Sequence, residues 1–311
     1  MHAVILDADS LGLGIDLSPI EQQVGRLEVH GQTAPEQVVE RLTGAEIVLV
    51  NKVPISGDDL ATLPALRLIC VMATGTNNID MQAAKRLGIE VRNVNAYGTE
   101  SVAQHTLLLL LSLAARMPLY QRDVAAGKWQ RSRFFCLLDH PTLELSGKHL
   151  VIVGQGELGS RVATLAEAFG MRITFAARPG ATSDARPDLA SLAPDADAIS
   201  LHCPLTDATR HLVDAALLER LKPTALLVNC ARGGIIDETA ALEALRDARL
   251  GGLGVDVLPV EPPRDGHPLL DALSEPLNLI VTPHNAWISP EARQRVVNLS
   301  AENLQEYIRQ T

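Results

Sequence analysis

The sequence predicts an α/β fold: parallel sheets flanked by helices, divided between two domains. Three observations carry that prediction. Short apolar strands alternate with helical runs along the first third of the chain, the pattern of a parallel sheet. A strand, a glycine-rich turn and a helix follow one another between His149 and Arg178. And 311 residues, 47% of them apolar, are long for one domain and comfortable for two.

Taken in order, the first strand candidates are Ala3–Leu6, Arg26–His30, Glu46–Val50, Leu66–Val71 and Glu90–Asn93. Helical runs at Ala34–Leu42 and Met81–Leu87 precede Gly44 and Gly88, which read as helix stops. Ligands of such sheets bind outside the carboxyl ends of the strands. Two segments stand there, Asn51-Lys52-Val53 and Ala73-Thr74-Gly75-Thr76-Asn77-Asn78. In the second, Gly75 lets the backbone turn and expose N–H groups that could receive a small carboxylate. It could equally be an ordinary turn, with Asn78 as N-cap of a helix from Ile79. Lys52 is a substrate contact or a solvated strand-end lysine.

From Ser101 to Met117 runs a strongly apolar helix, expected to be buried between layers or domains. Its His105 reads as a satisfied core histidine. Leu119 to His140 is an aromatic, basic excursion with Tyr120, Trp129, Arg131, Arg133, Phe134 and Phe135, in a chain only 3% aromatic. Aromatic and Arg enrichment marks interface cores, so a dimer arm is the favoured reading and a local cap the plainer one.

The central unit begins with the strand His149–Val153. Gly154-Gln155-Gly156-Glu157-Leu158-Gly159 follows, then a helical run from Ser160 to Phe169 and a second strand, Met171 to Ala176. A lone G-x-G-x-x-G is weak, but inside a β-α-β unit it predicts a dinucleotide site. Gly154 suits the tight turn, Gly156 the approach of a pyrophosphate, and Gly159 close helix–strand packing. The helix start, with free N–H groups and a positive dipole end, would hold the pyrophosphate. Where NAD sites place an acid for the ribose 2′-hydroxyl, this chain has Ala177, then Arg178, with Arg186 further on. Nothing there repels a 2′-phosphate, and Arg178 could pair with one; otherwise it stacks on adenine or lies in solvent. NADP is therefore favoured, with NAD also accepted.

Further strands are Ala198–His202, expected beside the first strand of the unit and leading to Cys203 and Pro204, then Ala225–Asn229, Gly252–Val257 and Leu279–Thr282. An amphipathic helix, Glu291 to Ile308, closes the chain and is expected to return to the first domain. Arg232, Glu261 and His284 each follow one of these strands. Singly they are a salt-bridged Arg, a turn Glu and a loop His. Together they suit hydride chemistry on a 2-keto acid. A guanidinium fork grips the carboxylate and polarises the carbonyl. An imidazole protonates the forming alkoxide. A carboxylate beside that imidazole favours its charged form and fixes its orientation.

A formal charge of −10 and a pI near 5.4 argue against nucleic acid or an anionic membrane as partner. The longest apolar run, Thr106 to Ala115, falls far short of the ~20 residues of a membrane helix. The N-terminus lacks a basic, signal-like start. Cys70, Cys136, Cys203 and Cys230 form no C-x-x-C pair. A cytoplasmic protein without metal is the expectation.

Gly154–Gly159, Asn229-Cys-Ala-Arg-Gly-Gly-Ile-Ile-Asp237 and Thr282-Pro-His-Asn-Ala286 resemble the signatures of D-isomer-specific 2-hydroxyacid dehydrogenases, over essentially the whole chain. Ala73–Asp80, Tyr97–Thr99, Ser101–Thr106, Phe135–Asp139 and Val260–Gly266 are similar to the glycerate dehydrogenase, or hydroxypyruvate reductase, subgroup. The resemblance implies two Rossmann-like domains with a cleft between them and a homodimer. It divides the chain into a flavodoxin-like substrate domain, 1–98 plus 287–311, and a dinucleotide domain, 99–286, with a dimerisation arm at about 118–141. It implies catalytic Arg232, Glu261 and His284, and a small 2-keto or 2-hydroxy acid as substrate. The substrate would meet Arg232, His284, Lys52 and the backbone at Thr74-Gly75. Cofactor contacts are implied at Thr106, Glu157, Leu158, Cys203, Pro204, Thr209, Cys230 and Ala231, with Asp256 at the nicotinamide amide. Ala177 departs from NAD-preferring relatives and puts strict NAD use in doubt.

The leading expectation is reduction of hydroxypyruvate to D-glycerate, and of glyoxylate to glycolate. Phosphoglycerate dehydrogenase is weaker, because its longer members carry a regulatory domain and this chain stops at Thr311. Formate dehydrogenases have Gln where this chain has Glu261. An NAD(H)-responsive corepressor could keep the same three residues, but the chain lacks extra tails.

Overall fold

A computed structural model describes all 311 residues, which divide into two compact units: Met1–Gly98 with Ile288–Thr311, and Thr99–Trp287. Trp287 thus falls with the larger unit, one residue from the expected boundary.

The smaller unit is a five-stranded parallel sheet of β1 (His2–Ile5), β2 (Arg26–Val29), β3 (Ile47–Val50), β4 (Leu68–Val71) and β5 (Glu90–Asn93). The order is β2-β1-β3-β4-β5. Its central strands are buried on both faces, which is why they read as unbroken apolar runs. Successive residues feed opposite faces. Val4, Val48, Val50 and Ile69 pack with Val38, Leu42 and Ala84 on one side. Ala3, Ile5, Leu49 and Cys70 pack with Val296, Val297, Ala301 and Leu304 of the closing helix, Pro290–Gln310, on the other.

Two local expectations are corrected here. The run Ala34–Leu42 is a 3-10 turn, Pro35–Gln37, followed by a short helix, Val38–Leu42. The helix Met81–Leu87 is capped by Asp80, which accepts from Ala83 N at 2.8 Å, and not by Asn78. The reason is a parallel bridge between Ile55 and Ile79 that holds Ile79 out of the helix. Asn78 O accepts from Ile55 N and Asp80 N donates to Ile55 O, so the helix begins only after Asp80.

The larger unit is a six-stranded parallel sheet of β6 (His149–Val153), β7 (Arg172–Phe175), β8 (Ala198–Leu201), β9 (Leu226–Asn229), β10 (Gly252–Val255) and β11 (Leu279–Val281). The order β11-β10-β9-β8-β6-β7 reverses at β6, with β7 on one side and β8 on the other. Ligands of open α/β sheets bind at such a reversal.

The apolar helix runs Thr99–Ala114 and packs on the helix Glu157–Ala168 and on β9 and β10. It does not reach Met117. Pro118 lacks an N–H and its ring would clash with the carbonyl four residues back, so the helix stops. Arg116 turns left-handed at φ 55°, and a new helix, Met117–Ala125, leaves at 62°. No single helix is long and apolar enough to cross a membrane. In the arm that follows, Phe134, Phe135 and Leu138 are 71%, 91% and 79% exposed, so they cap no core of their own unit.

Candidate active site

At the end of β6 the three glycines divide their tasks as a pyrophosphate loop requires. Gly154 sits at φ +104°, and a Cβ there would lie 2.4 Å from the His202 carbonyl oxygen. A Cβ on Gly159 would lie 2.0 Å from the Gly154 oxygen, so helix and loop touch only because it is absent. At Gly156 a Cβ would meet nothing within 4 Å. That open space lies at the N-cap of the helix Glu157–Ala168, whose first-turn N–H groups have no intrahelical acceptor. The helix starts at Glu157, earlier than the expected Ser160. Glu157 itself accepts a bond from the Thr99 hydroxyl at 2.8 Å, so its N–H and that of Leu158 are what the loop can offer an anion. The cradle fits the pyrophosphate of a dinucleotide.

The β8 end is a braced turn. Thr209 is buried, donates to Pro204 O at 2.7 Å and accepts from Thr206 N at 2.7 Å, which leaves Pro204 exposed on its surface. Thr106 is likewise buried, its hydroxyl donating to Val102 O at 2.8 Å. Both threonines, expected at the cofactor, have hydroxyls committed within the protein. Burial pushes the thiols of Cys203 and Cys230 up to about 11 and about 12, so both are neutral small side chains.

Sequence reasoning missed what shapes the β9 end. Asn229 is fully buried, donates to Arg232 O at 2.8 Å and accepts from Ala231 N at 3.0 Å, setting the turn that presents Arg232. Gly233 follows, and a Cβ there would lie 2.0 Å from Leu258 C. Its absence lets the Arg232 turn lie directly on the segment that leads to Glu261. An Asn closing an apolar strand was the available signal. The Arg232 side chain is exposed and donates to Ala231 O at 2.7 Å.

Glu261 is oriented through Oε1, which accepts from Leu258 N at 2.8 Å. Its Oε2 lies 2.6 Å from His284 Nδ1. A carboxylate only accepts, so Nδ1 carries the proton and Nε2 is the atom left to exchange one. His284 holds a left-handed backbone at φ 51°, pinned by its N–H to Asp256 O at 2.8 Å. Behind it the buried Asp256 carboxylate accepts from Thr282 Oγ1 at 2.5 Å, Asn285 N at 3.0 Å and Ala286 N at 3.0 Å. Three of about four acceptor positions are used, leaving one for the expected nicotinamide contact. His105 Nε2 lies 3.0 Å from Thr282 Oγ1, so this core histidine backs the same loop.

In the smaller unit, the exposed Thr74 and its neighbours Gly75 and Thr76 have backbone N–H groups without partners in the chain. Thr74 Oγ1 donates to Val94 O at 3.0 Å, and Asn93 Nδ2 donates to Thr74 O at 2.7 Å, which fix the bend. Lys52 is exposed, and its segment is held by an unforeseen residue. Buried Asp7 accepts from the N–H groups of Asn51 (2.9 Å), Lys52 (2.6 Å) and Val53 (3.1 Å).

Comparison with known proteins places these features in company. Residues 107–286 match the family described as D-isomer specific 2-hydroxyacid dehydrogenase, NAD binding domain. The chain is 42% identical over 282 residues to a glycerate dehydrogenase of Methylorubrum extorquens, covering 90% of this chain and 88% of that enzyme. It is 33% identical to a hydroxypyruvate reductase of Blautia hydrogenotrophica, over 99% and 97% of the two chains. Among solved structures it is similar to an acyclic imino acid reductase in complex with NADPH and D-Arg. That match has a TM-score of 0.83 at 25% identity and covers 100% of this chain and 98% of that one.

Proposed function

The chain belongs to the D-isomer specific 2-hydroxyacid dehydrogenase family, a family of NAD(P)-dependent oxidoreductases, and from that premise we propose that it reduces hydroxypyruvate to D-glycerate, with glyoxylate to glycolate as a second reaction. The observation that carries the reading is the His284–Glu261 pair, 2.6 Å apart on a loop braced by Asp256. Reduced nicotinamide, when bound, supplies the hydride for C2 of the keto acid. Everything else falls to groups of this chain.

Arg232 grips the substrate carboxylate and polarises the carbonyl through its guanidinium fork. His284 gives its Nε2 proton to the carbonyl oxygen as C2 becomes an alcohol carbon, and Glu261 stabilises the cation before transfer and holds Nδ1–H after it. The ring then regains a proton from water. Within the smaller unit, the backbone N–H groups of Thr74 and Gly75, with the exposed Lys52, are assigned to binding a small carboxylate. The exposed Phe134, Phe135 and Leu138 are assigned to contact with a second copy, and light scattering of Phe135→Asp against the unaltered chain checks that dimer.

The decisive experiment follows NADPH and NADH oxidation with hydroxypyruvate, glyoxylate, pyruvate and phosphohydroxypyruvate. Preference for hydroxypyruvate supports the reading; preference for the phosphorylated acid replaces it. His284→Ala should lower kcat/KM about a hundred- to ten-thousandfold while cofactor affinity holds. Loss of cofactor affinity instead would argue against its acid role.

A further inference from the structure

Glu157 puts an anion of the chain's own into a loop shaped to receive one from outside. It opens the helix Glu157–Ala168 directly after Gly156, where the first-turn N–H groups have no intrahelical acceptor. A carboxylate in that turn is drawn to the helix start by the same dipole that draws a pyrophosphate. By covalent geometry alone its oxygens lie within about 6 Å of the Glu157 nitrogen. Left to itself, the side chain would fold back over the N–H groups as an internal ligand.

The chain holds it elsewhere. Thr99, the first residue of the helix Thr99–Ala114, donates its hydroxyl to Glu157 Oε1 at 2.8 Å. Both residues belong to the larger unit, and their two helices pack directly on one another. Arg161 stands four residues after Glu157, where a helix cation ordinarily balances an acid. Here its Nε and Nη2 both lie 2.9 Å from Glu100 Oε2 instead. Glu157 is exposed, and no cation lies within ion-pair distance of it. Its charge is therefore held in place and left uncompensated.

We propose that Glu157 is an anion set against the pyrophosphate of the cofactor, lowering dinucleotide affinity and speeding release, with Thr99 as the positioning residue that keeps the carboxylate off the N–H groups. This rests on the reading of the glycine loop as a dinucleotide site. The open space at Gly156 and the donors of Glu157 and Leu158 attract phosphate. Unopposed, such a cradle retains reduced and oxidised cofactor alike, and turnover then waits on release. A phosphate that accepts from the Glu157 N–H lies within about 10 Å of its carboxylate, about one Debye length. The carboxylate thus opposes the attraction without filling the cradle. Because the pyrophosphate is common to NADH and NADPH, the choice between them is untouched.

The test titrates the full chain with NADPH and with NADH by nicotinamide fluorescence and follows dissociation by stopped flow. It compares the unaltered protein, Glu157→Gln, Thr99→Val and the double variant. Glu157→Gln removes the charge while keeping the shape of the side chain and an acceptor for the Thr99 hydroxyl. It should tighten both cofactors about three- to tenfold through slower dissociation, with their affinity ratio unchanged. That gain should shrink at least about twofold between about 0.05 M and about 0.5 M salt, because an exposed charge is screened. Thr99→Val should weaken both cofactors about threefold, and the loss should vanish when Glu157→Gln is also present. A loss that persists in the double variant overturns the positioning role of Thr99. Unchanged or weaker binding in Glu157→Gln, or a gain confined to one cofactor, overturns the proposal as a whole. Should a variant not fold, Glu157→Ala is judged by the same outcomes. Failure of the unaltered chain to bind either cofactor would instead sink the dinucleotide reading itself.

Discussion

The ends of β1 and β6 occupy the same station in two sheets whose strand orders begin alike, each between the second and third strands of its unit. What the chain puts there is opposite. After β6 come Gly154 to Gly159, with open space at Gly156 and unpartnered N–H groups at a helix start. After β1 comes Asp7, whose carboxylate is buried under the N–H groups of Asn51, Lys52 and Val53. One station has room for an anion from outside; the other carries an anion of its own. The topology supplies a concave place with donors, and the loop residues decide whether a ligand or a side chain satisfies them.

That contrast can be broken or sharpened by substitution, beginning with the largest effect. Gly159→Val forces a side chain to within 2.0 Å of the Gly154 oxygen. It should cost about 4 kcal/mol or more and unfold the larger unit, seen as a lost or split transition in calorimetry. A single, unshifted transition would mean that the contact relaxes easily. Gly156→Val meets open space, so it should keep the melting temperature within a few degrees while weakening NADPH binding about a hundredfold. Unchanged binding would move the pyrophosphate elsewhere. Asp7→Ala removes three bonds to a charged group and should cost about 2 kcal/mol in denaturant titrations. It should raise KM for the keto acid while leaving cofactor affinity alone. An effect on cofactor affinity only would undo the division of labour between the stations.

The last effect appears only in acid. His202, whose carbonyl lies against Gly154, is lowered by burial to about 4, so above pH 6.5 it is neutral folded or unfolded. As pH falls from about 6.5 towards 4 the unfolded chain takes a proton that the folded chain declines, and stability is lost across that window. Melting temperatures measured over this range should fall more steeply for the unaltered protein than for His202→Asn. Parallel curves would place the acid sensitivity elsewhere.

Much of the site was legible because its signals are local. The glycine spacing needs only backbone sterics, and Arg232, Glu261 and His284 each directly follow an apolar strand, where a parallel sheet presents its ligands. The closing helix, with Val296, Val297, Ala301 and Leu304 along one face, could likewise be recognised as a partner for a sheet. What sequence could not supply were the braces, since each joins residues far apart in the chain. Asp7 holds residues 51–53, Gly233 clears the way for Leu258, and Asp256 ties down residues 282–286. Helix ends were misjudged for the same reason: the bridge from Ile55 to Ile79, not the propensity of Asn78, sets where the helix after it begins.

The sequence by itself determined the alternation of elements, the glycine-rich turn and the three candidate side chains at strand ends, because hydrophobic periodicity, glycine sterics and side-chain chemistry act within a few residues. Tertiary structure alone decided which carboxylates are spent inside the protein and which face a ligand. Asp7, Asp184 and Asp256 are all acids near strand ends held by backbone and side-chain donors, Asp7 and Asp256 by donors from other segments and Asp184 by those of its own turn. Glu261 turns its carboxylate to the His284 imidazole at 2.6 Å, and Asp256 also lies 3.6 Å from His105 Nε2. A buried carboxylate must find donors wherever the folded backbone brings them, and that is a property of the packed chain rather than of any stretch of it.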